Sequence, residues 1–379
     1  MSEKNISYAK GKETQSVDID FIKNEMAQIL QIDNLSFLVG AGCSSNIIEG
    51  RETGIPSMKE LYKNFFAQYP DFKVGNVLVK DKFNENLETL LEIMGAVQIS
   101  NQIQMIDNEI DQKIKNIQLF LRKNIISTLQ GKEVLQIYKD FYLKTVQKTR
   151  KTPINIFTTN YDLYNEMALD ELGFSYNNGF TGTYKRKFNP LSYSYVFVEN
   201  MNLNRDVWER VSTFYNLIKL HGSISWVKQD DEIWERDIGY IKDDETVMIY
   251  PTPMKDRSTL MTPYSDLFRN MENHLMRKNS TLIVMGYSFG DDHINRIIFN
   301  ALAIPTFRLV IFGESPYITK IKDMGDTRIT IINSPDKIHY FINMVNNVMP
   351  SVHPDMEETL NMEPVEKMLG SIKEDTGHE

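Results

Sequence analysis

Six short apolar runs interrupt the sequence, and they constrain its fold more than any other feature. They cover residues 35–39, 154–157, 217–220, 282–285, 309–312 and 329–332. A Gly, Thr, Asn or His residue follows each run, and several runs lead into segments with helical periodicity. Runs of this length are typical of strands buried on both faces of a parallel sheet. The alternation predicts an α/β protein with a Rossmann-like, doubly wound parallel sheet, whose ligands bind beyond the carboxyl ends of the strands.

The composition narrows the possible function classes. Among 379 residues there are 42 Lys and Arg against 51 Asp and Glu, so the formal net charge is −9. Nucleic-acid-binding proteins usually have a basic excess, so direct nucleic-acid binding is not expected. No segment approaches the ~18 apolar residues of a membrane span, and the polar N-terminus has no apolar signal core, which favours a cytoplasmic protein. The single cysteine, Cys43, excludes an internal disulfide and a cysteine-rich zinc site.

The sequence predicts one large domain between two terminal segments. Residues 1–17 are polar, which predicts a flexible tail. Residues 350–379 are acidic and poor in aromatic side chains, which predicts a second tail that is flexible or weakly helical. The domain itself is predicted at residues 18–349 and begins with a helix near residues 19–30.

Two insertions interrupt the alternating pattern of the domain. The first, about 58–149, is mostly helical, and residues 87, 90, 91 and 94 place apolar side chains on one helix face. It is interpreted as a subdomain that buries its own apolar stripe or as a surface for self-association or a partner protein. The second, about 174–276, is rich in aromatic residues and contains the short basic run 184–187, which is interpreted as a solvated segment.

A glycine-spaced turn directly follows the first apolar run. Such a turn lets bare backbone approach a diphosphate, and the following helix directs its positive end toward it. Gly40, Ala41, Gly42, Ser44 and Ser45 are therefore candidates for binding the diphosphate of a dinucleotide through N–H groups and hydroxyls. A tight structural connection is the alternative interpretation of the same turn.

Two later loops carry side chains suited to cleaving the bond between nicotinamide and ribose. That bond breaks through a transition state resembling an oxocarbenium ion, as in glycoside hydrolysis. Asn160 can hold a ribose hydroxyl or the attacking water, and Asp162 can accept a hydrogen bond from the carboxamide. His221 has the side chain of a general base that works at neutral pH. Asn160 and Asp162 can instead be turn or helix-cap residues, and a His-Gly pair is often structural.

Five short motifs occur in the order found in the sirtuin family. They are Gly-Ala-Gly-x-Ser at residues 40–44, Gly-Ile-Pro at 54–56, Thr-x-Asn-x-Asp at 158–162, His-Gly at 221–222 and Gly-Tyr-Ser at 286–288. The chain resembles that family from about residue 35 to 335, outside most of the two insertions. The resemblance implies a Rossmann-type NAD domain with Asn160 and His221 in the catalytic positions. It places Asp162 against nicotinamide and Gly286 and Ser288 on the loop that meets the ribose and phosphates.

The chain also departs from the family pattern. Deacylating sirtuins carry four cysteines for a structural zinc after the His-Gly pair, and this region of the chain contains none, so no zinc module or other metal is expected. Residues 57–59 replace the family's Phe-Arg, and Thr159 replaces the Gln before the catalytic Asn. Glu314, in Phe-Gly-Glu at 312–314, stands where many sirtuins have Ile-Asn, and it is the candidate there for binding the cofactor.

These departures resemble the sirtuin-like NADases of bacterial anti-phage defence, as does the segment 285–293. The resemblance implies hydrolysis of NAD, as substrate, to nicotinamide and ADP-ribose. The length of the chain is similar to that of the stand-alone subunit that assembles with a HerA-type ATPase, and a homo-oligomer is expected. The alternatives are NAD-dependent protein deacylation or ADP-ribosylation, a non-catalytic NAD or ADP-ribose sensing module, a nuclease, and an NAD-linked oxidoreductase.

Overall fold

The computed structural model describes residues 5–48, 51–80, 85–104, 109–129, 131–147, 150, 152–202, 207–211, 213–243, 245–249 and 262–351. The predicted acidic tail, apart from residues 350 and 351, lies outside these ranges.

The strands are β1 (Ile6–Lys10), β2 (Glu13–Val17), β3 (Asn34–Val39), β4 (Ser45–Ile48), β5 (Arg51–Gly54), β6 (Lys73–Val74), β7 (Val77–Leu78), β8 (Ile154–Thr158), β9 (Ser175–Asn177), β10 (Phe180–Thr181), β11 (Arg186–Phe188), β12 (Val198–Asn202), β13 (Val207–Arg210), β14 (Phe214–Lys219), β15 (Gly222–Gln229), β16 (Glu232–Glu235), β17 (Thr246–Ile249), β18 (Ser280–Met285), β19 (Arg308–Phe312) and β20 (Ile329–Asn333). The helices are α1 (Ile19–Ile29), α2 (Met58–Gln68), α3 (Leu87–Gln104), α4 (Ile110–Thr128), α5 (Lys132–Thr145), α6 (Tyr164–Glu171), α7 (Tyr264–Leu275), α8 (Asp292–Ala301), α9 (Pro316–Asp323) and α10 (Phe341–Asn347).

A nine-stranded sheet organises the fold in the order β2-β1-β20-β19-β18-β3-β8-β14-β9. The strands from β20 to β9 are parallel to their neighbours, and the six predicted apolar runs all lie in this part. From β3 the chain proceeds outward through β8 and β14, and it then returns to β18 on the other side of β3. The β3–β18 pair is therefore the topological switch point, where open α/β sheets bind ligands. The predicted doubly wound α/β fold is confirmed.

Helices cover both faces of this sheet. On one face, α1, α5, α6 and α10 pack against inward side chains of the sheet; Phe37 of β3 meets Phe141 of α5 edge to face, with ring centroids 5.1 Å apart. On the other face, α7, α8 and α9 pack against residues such as Leu38 and Val284. Because both faces are buried, the strands are apolar at consecutive positions rather than at alternate ones.

The prediction of a flexible tail at residues 1–17 is wrong, because most of this segment is a β-hairpin at the edge of the main sheet. β1 pairs antiparallel with β2 and with β20. Tyr8 is 5% exposed and its ring packs edge to face on Phe21 of α1. Gly11, with φ of 59°, makes the turn between the two strands, a conformation that glycine adopts without strain. The hairpin covers the edge of β20, which would otherwise present unpaired backbone groups.

Only part of the first predicted insertion, 58–149, forms a unit with its own apolar core. The helices α2, α3 and α4 share their own apolar cluster, which includes Phe65, Leu90 and Leu121. Helix α5 belongs instead to the helical layer of the main sheet. The self-burying interpretation therefore fits α2 to α4.

The predicted second insertion, 174–276, is not one block. β9 and β14 are strands of the main sheet, and α7 packs on one face of that sheet. The inserted part is a five-stranded antiparallel sheet, in the order β10-β11-β16-β15-β17, with the separate hairpin β12–β13. Trp226 is fully buried against Phe180 and Phe188 in this part, so the aromatic residues build a core.

We expect the Tyr8→Ala substitution to lower the free energy of unfolding by about 3 kcal/mol, because it removes a buried ring from the hairpin. Chemical denaturation followed by circular dichroism measures this change. Gln15→Ala is the matched control, since Gln15 lies opposite Tyr8 on β2 but is exposed, and it should change stability by less than about 0.5 kcal/mol. An unchanged free energy of unfolding in the Tyr8→Ala variant would mean that the hairpin does not stabilise the fold.

Candidate active site

A cavity of about 510 Å³ lies beyond the carboxyl ends of β3, β8, β14 and β18, beside the switch point. Asn160, Asp162 and His221, which come from two separate loops, all line it. The structure thus brings together nearly all of the residues predicted for binding and catalysis. The exceptions are Gly40 and Glu314, which do not line the cavity.

The floor of the cavity is a close backbone contact between the turn after β3 and the loop after β18. The N–H of Gly40 donates to the Met285 carbonyl and the N–H of Gly42 to the Gly286 carbonyl, each at 2.9 Å. A Cβ on Gly40 would lie 2.4 Å from the Gly286 carbonyl oxygen. Only glycine fits there, because the obstruction is backbone and cannot move aside as a flexible side chain can.

The predicted role of the glycine turn needs a correction. The N–H groups of Gly40 and Gly42 are used in the contact with the β18 loop, and those of Cys43 and Ser44 bond the carbonyls of Gly40 and Ala41. These four amides therefore do not point at a ligand. Gly40 and Gly42 contribute by allowing close approach. Hydroxyls on cavity-lining residues, such as Ser288, remain available as donors.

Asn160 is held rigidly at the end of β8. Its side-chain Nδ2 donates to the Gly40 carbonyl at 3.0 Å and to Ser44 Oγ at 2.9 Å. Its backbone N–H donates to Thr158 Oγ1 at 3.0 Å. The amide oxygen Oδ1 is buried, and it has no hydrogen-bond partner among the residues that the structure describes. An unpaired buried acceptor is costly, so this oxygen is suited to a donor supplied by a ligand or water.

Asp162 lies under the same cavity and is almost fully buried. Its Oδ1 accepts the backbone N–H of Tyr164 at 3.1 Å, at the start of α6. Burial raises the pKa of Asp162, although Lys219 and a hydrogen bond from Ser44 act in the opposite direction. Ser44 also bonds Tyr138 of α5 at 2.9 Å, so one hydroxyl connects Asn160, Asp162 and the helical layer.

A buried ion pair that the sequence analysis did not find lies behind Asp162. Lys219, 1% exposed, places its Nζ 2.8 Å from Glu166 Oε1 and also donates to the backbone carbonyl of Asp162. Burial raises the pKa of Glu166, opposed by the nearby ammonium. The sequence signal for this ion pair was Lys219 itself, a lysine inside an otherwise apolar run. A buried charge is rarely left unpaired, so a lysine at such a position indicates a buried acidic partner.

His221 follows β14 and is 8% exposed. Its Nε2 lies 3.1 Å from Oδ2 of Asp291, and its ring lies 6.3 Å from that of Tyr161. Asp291 also caps α8, because its Oδ1 accepts the N–H groups of His293 and Ile294. No sequence motif predicted the contact between Asp291 and His221.

The helical subdomain α2–α4 forms one wall of the cavity, which the sequence analysis did not foresee. Glu88 and Glu92 of α3 line it, and Glu88 Oε1 accepts a hydrogen bond from Tyr161 at 2.8 Å. With Asp162 and Asp291, they give the cavity four carboxyl groups. No Lys or Arg lines it within the described part of the chain. Near these carboxyl groups, the cavity is therefore better suited to a cationic group of a ligand than to an anionic one.

Glu314 lies away from the cavity. It follows β19, which is separated from β3 by β18, so it faces another part of the same sheet edge. Its carboxylate pairs with Lys337 on the protein surface, and this contact lowers the pKa of Glu314. The predicted cofactor contact is not supported by its position.

Cys43 is buried under the glycine turn, and burial raises the pKa of its thiol. It fills space beside Gly286, where an added Cβ would lie 2.8 Å from the sulfur.

Within the described ranges, no three His, Cys, Asp or Glu residues are grouped so as to hold a metal ion. The helices that the structure describes include none with the length and apolar character needed to cross a membrane.

Residues 154–314 match the SIR2-like domain family. No curated protein matches the chain. Among solved structures, the chain is similar to Sir2 bound to an inhibitor, 2'-O-acetyl-ADP-ribose and a deacetylated p53 peptide, at 15% identity over 86% of this chain and 97% of that one, with a TM-score of 0.40. It is also similar to Sir2 with a p53 peptide and NAD⁺, at 15% identity over 86% and 96% and a TM-score of 0.39. A third structure, described as the structural basis for the mechanism and regulation of Sir2 enzymes, has 11% identity over 87% and 97% and a TM-score of 0.38.

The matched segment carries Asn160, Asp162, His221 and the loop after β18. The glycine turn after β3 lies before it and is joined to it by the backbone contact of Gly40 and Gly42 with that loop. The matched segment therefore contributes fewer than half of the residues that line the cavity, and the glycine turn and the α2–α4 wall come from outside the match.

We expect Gly40→Ala to lower the free energy of unfolding by about 2 kcal/mol, because the added methyl group overlaps the Gly286 backbone. Gly290→Ala is the control, since a Cβ there would meet only Ser288 Oγ at 3.4 Å, an ordinary contact. It should change stability by less than about 0.5 kcal/mol. Urea denaturation of both variants measures the difference, and equal stability would contradict the close contact.

Proposed function

We propose that the chain is an NAD glycohydrolase, which cleaves NAD to nicotinamide and ADP-ribose. The observation that carries this proposal is that Asn160, whose buried Oδ1 has no hydrogen-bond partner among the described residues, lines the same cavity as His221. Hydrolysis needs one group to hold the ribose or water and another to accept a proton, and these two residue types supply them.

In the proposed reaction, the bond between C1 of the ribose and the nicotinamide nitrogen breaks, and its electron pair leaves with nicotinamide. A water oxygen forms a new bond to C1, and its proton passes to His221 and then to solvent. Asn160 Oδ1 accepts a hydrogen bond from a ribose hydroxyl or from that water. Asp162 accepts from the carboxamide, in line with its burial below the cavity.

The carboxyl groups of the cavity support cleavage of the bond between the ribose and nicotinamide. NAD carries a positive charge on its nicotinamide ring, and the ribose becomes cationic as the bond breaks. Carboxyl groups of Glu88, Glu92, Asp162 and Asp291 line the cavity, with no cationic side chain among its described lining residues. Such surroundings stabilise positive charge in a partly enclosed site more than water does.

The wider role rests on the resemblance of the sequence rather than on the cavity. We propose that NAD depletion by this chain is the effector step of an anti-phage defence system in the cytoplasm. The proposal includes self-association of the chain and assembly with a HerA-type ATPase. Its support is the segment 285–293 and the absence of zinc-binding cysteines from the sequence.

We expect the purified full chain to release equal amounts of nicotinamide and ADP-ribose from NAD, measured by chromatography. His221→Ala should lower kcat by roughly 10²–10⁴-fold, the usual contribution of a general base. Asn160→Ala should also abolish turnover while some NAD binding remains. His339→Ala is the control, because the side chain of His339 lies beside Glu314 and outside the cavity.

The alternatives give different products in the same assay. A deacylase would release nicotinamide only with an acyl-lysine peptide, and a sensing module would bind NAD without releasing nicotinamide. If His221→Ala keeps near-normal turnover and remains folded, the assignment of the base is wrong.

A further inference from the structure

Asp291 uses its two carboxylate oxygens for two different partners. Oδ1 accepts the backbone N–H groups of His293 at 2.8 Å and Ile294 at 3.2 Å, which caps α8. Oδ2 lies 3.1 Å from Nε2 of His221. A helix cap needs only one side-chain oxygen, so the second contact is not explained by capping.

The carboxylate is also held in place by the loop that carries it. Phe289 is buried with φ of 60°, and its carbonyl accepts a hydrogen bond from Nδ2 of Asn295 in α8 at 2.8 Å. Tyr287 donates to the backbone carbonyl of Asp291 at 3.3 Å. A non-glycine residue adopts this backbone conformation only where its surroundings enforce it. The loop and α8 therefore form a fixed support for the carboxylate.

The charge state of Asp291 is fixed as well. Burial would raise the pKa of Asp291, but the hydrogen bonds from His221 and from the two helix N–H groups oppose burial, and the pKa is lowered to about 2. The side chains of Asp291 and His221 are only 13% and 10% exposed, so water competes weakly for their contact.

We propose that Asp291 is the positioning residue for His221 in the reaction proposed above, on which this inference rests. Oδ2 of Asp291 accepts a hydrogen bond from the Nε2–H group of the neutral imidazole, which fixes the ring orientation and leaves the lone pair on Nδ1. A base oriented by a third group is a recurring arrangement in hydrolytic sites. Here the third group also begins α8, so the helix and the imidazole are placed by one side chain.

The first arm of the test compares kinetic constants. Asp291→Asn keeps one oxygen for the helix cap but presents an amide to the imidazole, so we expect kcat to fall roughly 10²-fold or more while KM for NAD changes little. Asp291→Ala should lose activity similarly and also unfold at lower temperature. Asp292→Asn is the matched control, because Asp292 is the adjacent, exposed residue of α8. Full kcat in a folded Asp291→Asn variant would overturn the proposal.

The second arm does not depend on turnover. Histidines of the full chain are labelled with ¹⁵N, and the signal of His221 is assigned by its loss in His221→Gln. We expect the neutral ring to carry its proton on Nε2 in the wild type and on Nδ1 in Asp291→Asn. A wild-type proton on Nδ1 would overturn the proposal even if the variants fail to fold. Absence of NAD cleavage with the predicted tautomer would instead refute the proposed function.

Discussion

The backbone contact between the turn after β3 and the loop after β18 determines where the cavity forms. The contact consists of two hydrogen bonds, from Gly40 to Met285 and from Gly42 to Gly286, across neighbouring strands at the switch point. Because no side chain separates the two backbones, Ser44 reaches Asn160, and Gly40 presents its carbonyl to the same amide. The position of Asn160 Oδ1, the central feature of the site, follows from this contact.

Much of the fold was predictable because a strand buried on both faces is apolar at most of its consecutive positions. This requirement produced the six runs, and Asn160 and His221 come soon after two of them. In a parallel sheet the carboxyl ends of strands lie on one edge, so residues far apart in sequence were expected to converge there. The family resemblance added their chemical roles.

The remaining features depend on contacts that no local pattern encodes. Asp291 and His221 are 70 residues apart, and an acidic residue at the start of α8 is already accounted for by helix capping. The pairing of Lys219 with Glu166 depends on how α6 packs. The strands of the N-terminal hairpin contain too few apolar residues to show the alternating pattern of a half-buried strand. The hairpin is buried only because β1 pairs with the edge strand β20. Glu314 was placed by analogy and faces another part of the sheet edge.

The most direct test of the account is a crystal structure of the full-length His221→Ala variant with NAD. We expect the nicotinamide ribose to lie in the cavity beside α3, with a hydroxyl within hydrogen-bond distance of Asn160 Oδ1. The ring nitrogen of nicotinamide should lie on the side of the former imidazole. NAD bound elsewhere on the protein, or with its ribose away from Asn160 and residue 221, would contradict the central claim that these loops surround one dinucleotide.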